Sequence, residues 1–252
     1  MIHEHARVSL QAPVLVSGFP GLGSTGKIAV TYLINQLSAP KLATLFSPFF
    51  SPHVLVDSAG TIRLPSVQFY SWQNIQAAQS DLIFVTSDCQ AESDAGQYEI
   101  VTKILEYAQI QQIETIIALG GFRAAAQSGP PVICLSSNSH LQKSLLAAGA
   151  HPSPSGNPIV GMTGLLVGLS EFSKIKNACV LGKSGGYAPD LHIVQNLLEV
   201  LTTFLHLELD YSALQTELQR SQSVYRYIDS FQQEIETMLK ERAERARAPY
   251  IS

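Results

Sequence analysis

Short runs rich in Val, Ile and Phe alternate with helix-patterned runs through the first two hundred or so residues, and this alternation limits the chain to an α/β architecture. The runs Pro13–Ser17, Leu42–Phe46, Val54–Asp57, Thr61–Leu64, Val67–Trp72 and Leu82–Thr86 read as strands, as do Thr115–Leu119, Val132–Leu135 and Ala178–Leu181. Helical patterns cover Ser24–Leu37, Asp94–Ala108, Ser139–Ala148, Thr163–Ser173 and Pro189–Leu205. Asp94 with Gln97 three residues on reads as a capping box, and Pro189 suits a first helical turn. The expected core is a mixed, mostly parallel sheet flanked by helices, with Val54–Trp72 as an antiparallel meander within it. Binding loops would then lie at the carboxyl ends of the strands. Ala147–Pro158, with three prolines and two glycines, reads as a long exposed loop.

From Asp210 the character changes. Leu214, Leu218, Tyr225, Ile228, Phe231, Ile235 and Leu239 recur at spacings of three, four or seven, the stripe of a long amphipathic helix. The expected organisation is an α/β core over residues 1–209 and a helical extension with a tail over 210–252. The stripe suits packing on the parent sheet first, with a helical hairpin or a coiled contact between subunits as the alternative.

Hydrophobic residues make up 46% of the 252 and charged residues only 14%, which leaves few obstacles to self-association. A net charge of −4 argues against broad nucleic-acid binding. No apolar stretch reaches the ~18 residues of a membrane span. Met1–Ser9 carries His, Glu and Arg where a secretory leader needs an apolar run. Cys89, Cys134 and Cys179 are scattered without C-x-x-C spacing, as in a protein with reduced, buried thiols. The expected location is cytoplasmic, with no membrane and no nucleic-acid partner.

Gly18-Phe19-Pro20-Gly21-Leu22-Gly23-Ser24-Thr25-Gly26-Lys27 follows a strand and opens a helix. It satisfies G-x-G-x-x-G and most of a phosphate-binding loop. Ile28, however, stands where Ser or Thr would bind magnesium, and Phe46–Phe49 holds no acid for a ribose. The glycines serve a tight turn and close helix–sheet packing, with residual capacity for an anion at the helix N-terminus. Asp88, ending an apolar strand, imitates a metal-binding acid. Gly182-Lys183-Ser184-Gly185-Gly186 imitates a nucleophile elbow, but Asp190 and His192 lie on or beside one helix, badly placed for a triad. His3-Glu4-His5 sits in a stretch that reads as frayed, and no set of residues has metal-ligand spacing. Phosphorolysis would need guanidinium clamps, yet only Arg7, Arg63 and Arg123 precede Asp210. The expectations are therefore no catalytic set, no cofactor and no metal. The candidate anion or ligand site comprises Gly21, Gly23, Gly26, Lys27, Gly120, Gly121 and Arg123.

Four segments in this order resemble the proteasome assembly chaperone 2 family: Gly18–Lys27, Ile116–Phe122, Ile159–Leu166 and Leu181–Asp190. At Lys183-Ser184 the chain departs from the family, which more often has an acid and Thr there. The resemblance implies a nucleoside-phosphorylase-like fold without its catalytic set, a homo-oligomer, and a chaperone or scaffold role with proteasome α subunits as partners. It also implies a partner-binding tail at Pro249, Tyr250, Ile251 and Ser252, although the Tyr is offset by one place from the hydrophobic–Tyr–any tail of some members. The alternative is a protein that binds a nucleotide, nucleoside or phosphate, or a phosphorylase-like enzyme, using the Gly-rich loop and Arg123.

Overall fold

The computed structural model describes residues 1–74, 80–123, 129–154, 158–186, 189–212, 214 and 216. The chain divides into two compact units, Met1–Tyr211 and Ser212–Ser252. Nearly all of the predicted C-terminal amphipathic helix, and the tail Pro249–Ser252, lie outside the described residues.

The strands of the first unit are β1 (Ile2–Glu4), β2 (Val14–Gly18), β3 (Lys41–Leu45), β4 (Leu55–Val56), β5 (Ile62–Arg63), β6 (Val67–Trp72), β7 (Leu82–Ser87), β8 (Thr115–Phe122), β9 (Val132–Ser136), β10 (His151–Pro152) and β11 (Lys176–Lys183). The helices are α1 (Thr25–Gln36), α2 (Asp94–Ile110), α3 (Ser139–Ala147), α4 (Gly161–Ser170) and α5 (Leu191–Leu205). Nine strands form one sheet in the order β1-β3-β6-β7-β2-β8-β11-β9-β10. The centre, β7-β2-β8-β11, is parallel, and β2 and β7 are buried along their whole length, as strands covered on both faces must be. Helices α1, α3 and α5 pack together over one face, while α2 and α4 pair on the other. The larger cluster of buried side chains includes Leu15, Phe69, Ile83, Ile100, Ile104, Met162 and Leu166, so it joins β2, β6 and β7 to α2 and α4. In α5 the fully buried Val194, Leu197, Leu198 and Leu201 fall at i, i+3, i+4 and i+7, the stripe a helix needs to cover a sheet.

Several expectations need correction. The sheet is mixed, but it is not mostly parallel: β1–β3, β3–β6, β6–β7 and β11–β9 pair antiparallel, as many as the parallel pairings β7–β2, β2–β8, β8–β11 and β9–β10. The Val54–Trp72 meander splits. β4 and β5 make a separate two-stranded hairpin, and only β6 joins the main sheet. The first residues are a strand rather than a frayed end, since β1 pairs with β3 and His5 Nε2 lies 2.8 Å from Thr44 Oγ1. Asp94 does not cap α2. Ser93 does, accepting from the Gly96 N–H at 3.2 Å, and Asp94 places its charge in the first turn. Pro189 precedes the cap of α5, Asp190, whose carboxylate accepts from the His192 N–H at 2.9 Å. The Pro-rich stretch Ala147–Pro158 contains β10, which pairs with β9. α4 starts two residues earlier than expected, and its final turn is a 3-10 helix, Glu171–Ser173.

Candidate functional site

The chain leaves β2 toward β3 on one side of the sheet and leaves β8 toward β9 on the other, so a crevice opens between their carboxyl ends. A pocket of about 520 Å³ occupies that place. Gly21, Gly26, Gly120, Gly121 and Arg123 border it; Gly23 and Lys27 do not.

The glycines act first as packing surfaces. A Cβ on Gly18 would lie 2.1 Å from the Gly26 carbonyl oxygen, and one on Gly26 would lie 2.2 Å from the carbonyl oxygen of Leu119. A Cβ on Gly121 would meet the Leu22 carbonyl oxygen at 2.4 Å. The turn after β2 is therefore pressed backbone to backbone against the end of β8. Gly23 (φ 59) and Ser24 (φ 47) take left-handed conformations to make the turn. Thr25 Oγ1 donates to the Leu22 carbonyl at 3.3 Å, inside the turn.

Lys27 reaches the other way. Its Nζ donates to the Asp88 carbonyl at 3.2 Å, and burial holds its ammonium below the usual lysine range despite the nearby charge of Asp88. Asp88 is a hub rather than a metal ligand. Its two oxygens accept a bidentate pair from Arg63 at 2.6 and 2.7 Å. Oδ2 also accepts from the Ser66 N–H at 3.0 Å and from Gln68 Nε2 at 2.8 Å. Burial pushes its carboxyl up, but Arg63, Ser66 and Gln68 together outweigh that and hold it below the ordinary aspartate value. Because unfolding returns Lys27 to 10.5 from a lower folded value, the unfolded chain binds more protons in that window, so stability rises with pH there. Lys27→Met should stay within about 1 kcal/mol of the parent at neutral pH and should lose that alkaline rise, read from urea unfolding in buffers on either side of the window.

Sequence reasoning missed Gln90. Its Nε2 donates to the Pro20 carbonyl and its Oε1 accepts from the Met162 N–H at 2.9 Å, tying the turn after β2 to the start of α4. Gly161, at φ 80, makes room for it, since a Cβ there would lie 2.6 Å from Gln90 Oε1. A glutamine some seventy residues from both partners gives no local signal. Thr163 also borders the pocket and was read only as a helix start. The elbow-like Ser184 is buried, and its Oγ donates to the Gly186 carbonyl at 2.7 Å, within its own turn. Among the described residues no group of three His, Cys, Asp or Glu side chains is placed to hold a metal ion. No helix among them is long and apolar enough to cross a membrane. Cys134 and Cys179 are buried and Cys89 is half-buried.

An uncharacterised protein of Methanocaldococcus jannaschii is 27% identical over 241 residues, spanning 95% of this chain and 90% of its own. The fold matches PbaB of Pyrococcus furiosus, an archaeal proteasome activator, with a TM-score of 0.81 and 28% identity over 91% of this chain and 98% of that one. PbaA of Pyrococcus furiosus, an archaeal homologue of a proteasome-assembly chaperone, matches with a TM-score of 0.75 over 94% of this chain and 100% of that one; at 22% identity this likeness speaks to fold alone. Residues 15–226 match the PAC2 family over most of the chain, and the protein belongs to that family.

Proposed function

We infer that the protein is a non-catalytic, homo-oligomeric chaperone or scaffold that engages proteasome α subunits in the cytoplasm. Its membership of the PAC2 family supports a chaperone-like role. The observation that carries the partner is the 28% identity to PbaB, a proteasome activator, across nearly the whole of both chains. Two groups that resemble catalytic parts are engaged elsewhere, which favours a scaffold: Ser184 Oγ bonds within its turn and Lys27 Nζ bonds the Asp88 carbonyl. A charged fraction of 14% favours self-association. The nucleoside-phosphorylase-like reading of the fold belongs to this proposal and rests on the resemblance.

The test is retention of proteasome α subunits on the immobilised full chain, with light scattering to count its copies. Retention is expected, with more than one copy per particle. Removing Pro249–Ser252 should weaken it about tenfold or more if the tail carries a dominant contact. Failure of the full chain to retain them overturns the partner; undiminished retention after truncation overturns only the tail.

A further inference from the structure

The pocket at the carboxyl ends of β2, β8 and β11 is chemically two-sided. At about 520 Å³ it falls in the size range of small-molecule sites. One side is apolar, with Ile133, Leu135, Leu181 and Phe122 belonging to one packed cluster. The other side is the start of α4. Thr163 borders the pocket there and is only 9% exposed, yet its Oγ1 has no hydrogen-bond partner among the described residues. The buried helical hydroxyls of Ser170 and Thr202 instead donate to carbonyls three residues back, Val167 and Glu199. Three residues before Thr163 stands Val160, the cap of α4, and Thr163 makes no such bond to it. Thr163 is more than nine-tenths buried and its hydroxyl opens on the cavity, where a ligand can take the bond that no protein group takes.

The backbone beside it has the same polarity. Val160 gives α4 no side-chain cap, and Gln90 takes only the Met162 N–H of a first turn whose N–H groups lack intrahelical acceptors. Among the described residues that line the pocket, Arg123 is the one charged side chain, and none is a carboxylate. The two sides adjoin. A Cβ on Gly120 would stand 3.0 Å from Leu181 Cδ2 and 3.9 Å from Thr163 Oγ1, so one small molecule can touch both.

We propose that this pocket is a binding site for a small apolar carboxylate, with its anionic head on Thr163 Oγ1 and the α4 N-terminus and its apolar body against Ile133, Leu135 and Leu181. A single negative charge suits one helix terminus and one hydroxyl; a phosphate dianion calls for cations at the same place. The site lies at α4, not at the Gly21–Lys27 turn, because Lys27 reaches away toward Asp88. It does not depend on any proteasome partner.

The test uses the full chain with 2-naphthoate and its neutral isostere 2-naphthamide, measured by calorimetry and by methyl NMR. The acid should bind about tenfold more tightly than the amide, the scale of one hydrogen bond to a charged group. Its addition should shift the methyl signals of Ile133, Leu135 and Leu181. Thr163→Val keeps the shape and removes the hydroxyl, so the preference for the acid should collapse while amide binding persists. Gly120→Ala narrows the junction and should weaken both ligands. Absence of binding at millimolar concentration, equal affinity for acid and amide, shifts confined to other methyls, or an unchanged preference in folded Thr163→Val would each overturn the proposal. If Thr163→Val does not fold, the acid-to-amide ratio and the methyl shifts of the parent chain decide it.

Discussion

Gly26→Ala is expected to destabilise the protein by about 3 kcal/mol, the upper part of the range for overpacking, while Gly168→Ala should stabilise it by about 0.5 kcal/mol or more. Both are glycines in helices, and propensity alone would predict a gain from each. Their surroundings separate them. At Gly26 a Cβ would stand 2.2 Å from the Leu119 carbonyl oxygen and 3.0 Å from the Gly120 nitrogen, which are backbone atoms of a central strand. Neither can swing aside as a side-chain end could. β8 is hydrogen-bonded on both edges, to β2 and to β11, so relief must come from lifting α1 off the sheet. Lifting α1 would loosen the packing of Ala29, Val30 and Leu33, all fully buried. At Gly168 nothing lies within 4 Å of the added carbon. Thermal unfolding should therefore move in opposite directions, with Gly26→Ala lowering Tm by roughly 6–12 °C in a unit of this size. A neutral Gly26→Ala would overturn the close-packed turn and reopen the phosphate-cradle reading of the loop.

That contrast marks what the sequence could show. The strand–turn–helix at Val14–Gln36 was legible to within about a residue at each end, because local pattern and turn chemistry agree there. The alternation of elements and the order of the glycine segments were legible for the same reason. Strand pairing was not. Nothing local says that Ile2–Glu4 pairs with Ala43–Leu45, or that β9 runs against β11 although β11 runs parallel to β8 on its other edge. Two short strands, β4 and β5, look like sheet members in sequence because an exposed hairpin with Val56 and Ile62 shares the composition of a buried one. The glycine turn was located, but its lysine was assigned to the wrong side. Lys27 sits one residue past Gly26, and only the folded arrangement shows its ammonium bonded to the end of β7. Gln90 and Thr163 were illegible as site residues for a related reason: their roles come from partners, or the lack of one, across long sequence separations.

Asp88→Ala is expected to cost about 3 kcal/mol, well beyond Arg63→Ala at about 1 kcal/mol or less. The two residues share one ion pair, so the inequality depends on what each removal leaves behind. Arg63 is half exposed, at 49%, and water can take its place beside the carboxylate. Asp88 is 13% exposed and also accepts from the Ser66 N–H and the Gln68 amide, on residues that are 3% and 7% exposed. Its loss strands the Ser66 N–H where solvent does not reach, while Gln68 Nε2 keeps the Ser66 carbonyl and Oγ as acceptors. The acid dependence has a definite sign. Asp88's folded pKa lies below its ordinary 3.8, so the stabilisation is present above that value and is lost as pH falls through the lower, folded pKa. Asp88→Asn, which cannot titrate, should therefore differ most from the parent at neutral pH and converge on it in strong acid, as measured by urea unfolding across that range. Hydrogen exchange gives the local readout. Arg63 is half of β5, and its ion pair with Asp88 joins the β4–β5 hairpin to the end of β7. Amides of Val56 and Ile62 should exchange faster in both Asp88→Ala and Arg63→Ala, since either change releases the hairpin. Only the aspartate variant should lower global stability steeply, because only it strands the buried Ser66 N–H.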